Sequence, residues 1–468
     1  MTEFERAVAA RRAPGALFTP EAPVYIARSP GRLDLMGGNV DYTGGMVFES
    51  TIREGTWAAA QRRTDSRIVL SNPQMKERGW REEVSFDLAD LTSDGNVRAL
   101  VNASPAVRWT AYVLGVFHLL KRRHPDIVTV GASVYIESGV PLNKGVSSSA
   151  AVEVSVMKSA AAAYGINLGG IELAEACQWV ENVIAESACG IMDQATAVMG
   201  DEGYILPILC QPCRVLPMVK LPPSLACWAV DSGASHEVSG IEYEAARAAA
   251  FMGYKLITMW EHLPVTLDES GAVPRYVEPR WDGYLSNMLP SEYRAEYEWR
   301  LPEIMTGPDF IGQAESHIDP FTQLREGVIY RIRNCTRYAV EENARIETFA
   351  ELARGASIEE SEPAFRLMGD LMYQSHWSYT ECGLGSKACD MLVGLVREEG
   401  AANGLYGAKI TGGGAGGTVA ILGRADARDA FRRVVTRFGE QRGFEPYVFE
   451  GSSMGADRFG VRVMEPAG

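Results

Sequence analysis

The sequence predicts an α+β protein. Strand-like and helix-like runs follow one another without the regular alternation of a doubly wound sheet. At 468 residues the chain has room for two domains or one large one. A proline pair, Pro222 and Pro223, marks the best break, which divides the chain into 1–225 and 226–468.

Taken in order, residues 23–28 (PVYIAR) read as a strand entering a glycine-rich turn, 29–45. Further strand-like runs are 46–60, 66–71 and 128–137, where small, branched and aromatic residues alternate. From Trp109 the apolar residues take helical spacing, and helices are predicted again at 148–164 and 171–186. Strands follow at 203–219 and 226–232, then a helix at 243–258. The stretch 262–322 loses periodicity but keeps many aromatics, so it reads as an ordered insertion of short helices and loops. Helices are predicted at 323–354, 359–377, 385–400 and 425–440, with a strand, a glycine turn and a strand around 411–418.

Composition narrows the function. Apolar residues make up 46% of the chain, normal for a globular protein, and the formal net charge is −15. That charge argues against nucleic-acid binding and against an anionic membrane surface. No stretch is long and apolar enough to span a bilayer, and MTEFERAVAARRAPG has no signal-peptide core, so a cytoplasmic protein is expected. Of eight cysteines only Cys210 and Cys213 form a CxxC, and with Pro212 inside it a structural or incidental role is favoured over metal or redox chemistry. The six histidines, at 118, 124, 236, 262, 317 and 376, form no metal-binding pattern.

Three segments carry chemistry. In PLNKGVSSSA, residues 141–150, Gly145 admits close approach of an anion. Ser147, Ser148 and Ser149 bring hydroxyls and free N–H groups to a helix start, which suits phosphate. An ordinary serine N-cap is the competing reading. In the second segment, Ser29–Gly45, Arg32, Asp34 and Asp41 lie among five glycines, and Asn39, Asp41 and Tyr42 could converge on a polyhydroxylated ligand; a turn with solvated charges is the alternative. The third, TGGGAGGT at 411–418, has five glycines in eight residues between apolar strands, which marks close backbone approach or a hairpin tip.

Two carboxylates stand out between these segments. On the helix from Ile171, Leu173, Cys177, Val180 and Ile184 form the apolar stripe, and Glu181 borders it; Glu172, Glu175, Asn182 and Glu186 fall on the other side. Asp193 sits among residues that look buried, where an acid needs a partner. The parts fit phosphoryl transfer. The serine loop cradles phosphates, Ser149 and Glu181 offer oxygen ligands suited to Mg²⁺, and Asp193 accepts a hydroxyl proton, held ionised by Arg32.

The three segments together resemble the GHMP small-molecule kinases, in that family's order and spacing: SPGRLDLMGGNVDYTGG, PLNKGVSSSAAVEV and KITGGGAGGTVAIL. The resemblance implies an N-terminal domain like domain 2 of ribosomal protein S5 and a ferredoxin-like C-terminal domain, with the active site between them and ATP as co-substrate with Mg²⁺. Within the family the chain is similar to the galactokinase branch. CQWVENVIAESACGIMDQ places Glu181 at the branch's magnesium-binding glutamate and Asp193 at its catalytic aspartate, and Arg32 falls on the arginine that assists that aspartate. Lys144, Gly145, Val146, Ser147, Ser148 and Ser149 are implied to hold the nucleotide phosphates, with Trp109 near the adenine. Asp41, Tyr243, Gly413 and Gly414 are implied to approach the sugar, together with Gly38, Asn39 and Asp193. Ser375, His376 and Ser378 are expected at the domain interface, without chemistry.

One departure points to the substrate. Gly38-Asn39 stands where galactokinases carry Glu-His, and the resemblance implies that this glutamate meets the sugar's 6-hydroxyl. L-Arabinopyranose has the ring configuration of D-galactose without carbon 6. The chain is also similar to the kinase domain of plant L-arabinokinases in SGASHEVSGIEYEAARAAAFMG, in GYLSNMLPSEYRAEYEWRLPEIM and in CGLGS, and it shares their insertion. The expected activity is ATP-dependent formation of L-arabinose 1-phosphate. Alternatives are a galactose or other hexose 1-kinase, a sugar-binding regulator without turnover, and a mevalonate-pathway kinase, the last disfavoured around Asp193 and Tyr243. The sequence is silent on oligomeric state.

Overall fold

The computed structural model describes residues 1–234, 239–271 and 273–466. Residues 235–238, part of the SGASHEVSG stretch and including His236, lie outside the described residues.

Two sheets organise the chain. The first has the order β11-β1-β2-β5-β3-β4, built from β1 (Val24–Met36), β2 (Met46–Arg62), β3 (Arg67–Ser71), β4 (Glu83–Asp87), β5 (Ala132–Ser138) and the returning strand β11 (Arg462–Met464). All its pairings are antiparallel except β3 with β5. The long β2 uses its second half for β5 and its first half for β6 (Tyr204–Leu209). One face is covered by α2 (Ser148–Ala163), behind which pack α1 (Ala111–Arg123) and α3 (Gly170–Trp179).

The second sheet is antiparallel, in the order β8-β9-β7-β10: β7 (Leu225–Asp231), β8 (Leu405–Ile410), β9 (Thr418–Arg424) and β10 (Val448–Glu450). With the helices α5 (Ser239–Trp260), α6 (Ile332–Ala356), α7 (Glu362–Cys382), α8 (Lys387–Glu399) and α9 (Arg428–Arg442), it repeats the β-α-β-β-α-β succession of ferredoxin-like folds. The apolar core is continuous from Leu33 and Phe48 in the first sheet to Ile421 and Phe449 in the second.

Several local expectations change. β1 does not stop at residue 28 but pairs with β2 as far as Met36, with register shifts at Pro30/Arg32 and Asp34/Met36. Such bulges re-aim side chains, and here they turn both Arg32 and Asp34 into the interior. The predicted helix at 171–186 is α-helical only to Trp179 and then makes a π-turn, Val180–Ile184. That change of period draws Asn182 inward, against the expectation of an outer face, and its side chain holds Cys189 through N–H···O bonds of 2.9 and 3.2 Å. The helix expected from 323 starts at Ile332, because Ile329–Tyr330 pairs with Met305–Thr306 of the insertion in a two-stranded ribbon. The strand-like run 203–219 is β6 plus the short strand Arg214–Val215, with a further one at Val219–Lys220.

Candidate active site

The serine loop is held by backbone from both other glycine segments. The N–H of Arg32 donates to the carbonyl of Val146 at 3.1 Å. A Cβ on Gly31 would sit 2.5 Å from that same carbonyl oxygen, so only glycine fits. From the other side, the Thr418 hydroxyl donates to the Lys144 carbonyl at 2.8 Å. A Cβ on Gly412, which has φ of +70°, would come within 2.6 Å of the Gly145 carbonyl. The loop is therefore clamped between segments more than a hundred residues away on each side.

The clamp leaves the helix start open. α2 begins at Ser148, and Ser147 is in the left-handed region at φ 60° without a side-chain capping bond. An L-residue there costs about 1–2 kcal/mol, and the Ser147 hydroxyl is buried without a hydrogen-bond partner. The ordinary N-cap reading does not describe this geometry. A strained serine whose oxygen lacks a partner at a helix start suits an anion.

Ser147, Ser148 and Ser149 line one cavity of about 410 Å³ together with Arg32, Glu181, Asp193 and Gly413. Its other end is apolar, with Met75, Trp80 and Trp109 in the wall. The Trp109 indole N–H is already given to the Arg81 carbonyl at 3.0 Å, so this ring offers a face, not a donor. A slot with flat apolar walls at one end and a helix start at the other fits a purine nucleotide.

Asp193 is at the first turn of α4 (Met192–Met199), its side chain 19% exposed. Arg32 donates to its Oδ1 from Nε at 2.9 Å and approaches it with Nη2 at 2.8 Å. The same guanidinium gives Nη1 to the Gly145 carbonyl at 2.6 Å and lies 3.5 Å from Glu49. Burial works against its charge, but Asp193, Glu49 and Asp34 hold Arg32 above its ordinary value. Beneath it Asp34 pairs with Lys409 at 2.6 Å, both fully buried. Burial and the Asp34 charge push Glu49 well above the carboxylate range, and Arg32 works against them.

Glu181 sits in the π-turn, a common location for functional residues. It accepts Gln194 Nε2 at 2.6 Å, and Ser149 lines the same cavity beside it. Burial, then the Asp193 charge, push it up to about 7. Behind it Glu153, on the apolar helix α2, is buried, 3.3 Å from Gln194 Nε2, and raised well above its usual range by burial and by Glu181. Sequence reading passed over Glu49, Glu153 and Gln194. The available signal for Glu153 was a carboxylate in an apolar helix four residues after Ser149.

The remaining expected contacts are placed as follows. Asp41 is buried, and burial and the Asp193 charge push it up to about 6 against the lowering effect of Arg247 and of the Tyr42 and Met192 backbone. Gly190 packs against it so closely that a Cβ would lie 1.9 Å from the carboxylate. Tyr243 meets Tyr42 edge to face at 5.9 Å. Asn39 reaches the Gly413 carbonyl at 3.4 Å and leaves its own amide oxygen buried without a partner. Lys144 does not line the serine-loop cavity; its ammonium pairs with Asp231 at 2.8 Å. Val146 contributes its carbonyl to Arg32 and its side chain to the core. Gly414 packs on Leu384 and Tyr379, not on the cavity.

Gly38 needs correction as an acceptor contact. It lines neither this cavity nor the one beside Asp41, and its side-chain direction is filled, since a Cβ would lie 1.9 Å from the Tyr379 hydroxyl and 2.4 Å from Asp34. Tyr379 donates to the Gly412 carbonyl at 2.8 Å and Tyr338 to the Gly38 carbonyl at 2.6 Å. Ser375 and His376 are not at a boundary between the two sheets. They bond Glu342, Ile410 and Asp390 inside the second unit.

Three family descriptions match the chain: the N-terminal domain of GHMP kinases over 111–201, the galactokinase galactose-binding signature over 16–62, and the C-terminal region of GHMP kinases over 356–441. An L-arabinokinase of Arabidopsis thaliana is 36% identical across 97% of this chain and 48% of its own length, so the chain spans about half of that relative. A galactokinase of Chloroflexus aurantiacus is 31% identical across 87% of this chain and 86% of its own. Among solved structures, Lactococcus lactis galactokinase complexed with galactose has the same fold, with a TM-score of 0.70 at 22% identity over 92% of this chain and 94% of that one.

Proposed function

This chain belongs to the GHMP kinases, in their galactokinase branch, and from that premise we propose that it is an ATP-dependent sugar-1-kinase whose acceptor is L-arabinose. The observation that carries the kinase reading is the single cavity in which the strained serine loop, Asp193 with its Arg32 partner, and the flat apolar slot at Trp109 all meet.

The reaction follows from this placement. ATP lies with its base at Trp109 and its phosphates on the N–H groups of the serine loop. The anomeric hydroxyl gives its proton to Asp193 while its oxygen bonds the γ-phosphorus. The bond from that phosphorus to the β–γ bridging oxygen breaks, and ADP leaves with it. Arg32 fixes Asp193 in one orientation, with Nε and Nη2 both on its Oδ1.

Ser149 and Glu181 form an oxygen pair suited to Mg²⁺, and the raised acid Glu181 gains most from a cation. Among the described residues no three His, Cys, Asp or Glu side chains group to hold a metal alone, so the remaining ligands would be ATP phosphates and water. When bound, the ion would neutralise charge on the transferring phosphoryl group.

L-Arabinose is favoured because an L-arabinokinase is 36% identical across 97% of this chain, against 31% across 87% for a galactokinase. D-Galactose is the second reading, favoured by the galactose-binding signature and the galactokinase relatives. Steady-state rates with both sugars decide: arabinose is expected to give the higher kcat/KM, and a higher value for galactose would replace the assignment. Sugar binding without ADP release would instead make the protein a regulator. A cytoplasmic location fits the net charge and the eight free cysteines. Among the described residues no helix is long and apolar enough to cross a membrane.

A further inference from the structure

A second cavity, of about 300 Å³, lies next to the first. Asp41 and Tyr42 form one wall and Arg247 of α5 another. Its outer wall comes from the insertion, through Tyr276, Ile318 and Phe321 among others. Ile191 lines this cavity while Asp193, two residues on, lines the nucleotide cavity, so the two spaces adjoin. Close-packed interiors rarely keep a void of this size. Aromatic faces with a few carboxylate and guanidinium groups are the surroundings that suit a monosaccharide, whose C–H face packs on rings while its hydroxyls bond charged groups.

The outer wall is fastened at one place. Arg247 donates from Nε and Nη2 to the two carboxylate oxygens of Asp319 at 2.8 and 2.9 Å, with both residues buried. Asp319 also accepts the Thr322 hydroxyl at 2.7 Å. The same guanidinium lies over the Tyr42 ring at 5.0 Å and the Phe321 ring at 5.4 Å, and its Nη1 is buried without a partner. Tyr42 in turn meets Tyr243. A line of contacts therefore runs from the end of the insertion to the residues beside Asp41.

We propose that the insertion at 262–322 forms one wall of the acceptor-sugar site, and that the Arg247–Asp319 pair positions this wall against Asp41. The inference rests on the sugar-kinase reading and adds a role for a segment which that reading leaves unused. Arg247 and Asp319 are positioning residues; they act through Tyr42 and the wall.

The test is calorimetric titration of the full chain with L-arabinose and D-galactose in the absence of nucleotide, alongside KM for sugar and for ATP. Ile318→Trp fills the cavity from the insertion side without altering the ion pair. It is expected to raise the sugar Kd and KM by about tenfold or more while KM for ATP stays within about twofold. Tyr276→Ala, on a half-buried residue of the same wall, is expected to weaken sugar binding several-fold and serves if the larger side chain prevents folding. Asp319→Asn is expected to raise the sugar KM without changing that for ATP. Variants that lose thermal stability but keep wild-type sugar Kd and KM would overturn the proposal, leaving the insertion a brace. A wild-type protein that binds neither sugar would overturn the kinase reading together with this one; sugars bound equally by wild type and the wall variants would overturn this one alone.

Discussion

Replacing Glu181 by glutamine tests the electrostatics of the site without removing its shape. Glu181 is buried, and its carboxyl is pushed from an ordinary 4.5 up to about 7 by burial and by Asp193. The unfolded chain gives up this proton near 4.5, whereas the folded chain keeps it to about 7. The group's contribution to stability is therefore complete below pH 4.5 and is lost as pH rises to 7. Across that whole interval the loss is about 3 kcal/mol, of which about 2 kcal/mol falls between pH 5.5 and 7.5. Asp41, pushed from 3.8 to about 6, adds loss in the same direction. The ligand-free protein should melt lower at pH 7.5 than at 5.5. Glu181→Gln, neutral at both, should shrink that difference by roughly 2–4 °C. Differential scanning fluorimetry at fixed ionic strength reads it directly. In a second arm, the Mg²⁺ concentration giving half-maximal ADP release should rise in the variant. An unchanged pH slope would refute the account of Glu181 as a carboxyl strained by burial, and an unchanged magnesium titration would remove it from the metal site.

Asp193→Ala should lower kcat by about a hundredfold or more, the scale for loss of a general base, with an unaltered far-ultraviolet circular dichroism spectrum; near-normal turnover would exclude it from the chemistry. Gly412→Ala puts a methyl 2.6 Å from the Gly145 carbonyl and should raise KM for ATP about tenfold, measured against an unchanged sugar KM. Gly38→Ala meets the Tyr379 hydroxyl at 1.9 Å and should cost about 1–3 kcal/mol, part of it recovered in the Gly38→Ala/Tyr379→Phe double variant, as denaturant titration would record. Lys144→Met should raise KM for ATP several-fold if the ammonium leaves Asp231 for phosphate, and an unchanged value would confine Lys144 to its ion pair.

What could be read from the sequence was whatever the backbone demanded. Gly31 and Gly412 are required because peptide groups touch there, and a run of glycines between apolar strands is visible in one dimension. Glu181 and Asp193 were visible because a carboxylate among apolar neighbours is costly without a partner. Glu49 and Arg247 were not visible, because their cost is met by partners distant in the chain: Arg32 for one, Asp319 for the other. The course of β1 was missed because a glycine-rich stretch reads as a turn, while two bulges let it stay in the sheet. The inward Asn182 was missed for a related reason: an α-helical wheel assumes 3.6 residues per turn, and the π-turn at 180–184 breaks that count. At Gly38 the missing side chain was legible, but the tyrosine that fills its place, 341 positions along the chain, was not.

The charges of the site explain why it needs help from outside the chain. Arg32 and Lys409 are the cations of the buried cluster, set against Asp34, Glu49 and Asp193. Arg32 is fully committed, since Nε and Nη2 go to Asp193 and Nη1 to the Gly145 carbonyl, with Glu49 3.5 Å from Nε. Lys409 is buried against Asp34. Neither can turn to a triphosphate without leaving an acid unpaired in the interior, which costs several kcal/mol, about 3–5 for a buried pair. Lys144 is held by Asp231. The positive potential for the phosphates then comes from the start of α2, where Ser147 leaves the helix uncapped, from Arg108, whose Nη1 is buried without a partner in the cavity wall, and, in the kinase proposed above, from a cation between Ser149 and Glu181. The raised Glu181 follows from the same arrangement: in the absence of a cation it is a carboxylate facing Asp193 with no positive partner of its own, so it keeps its proton.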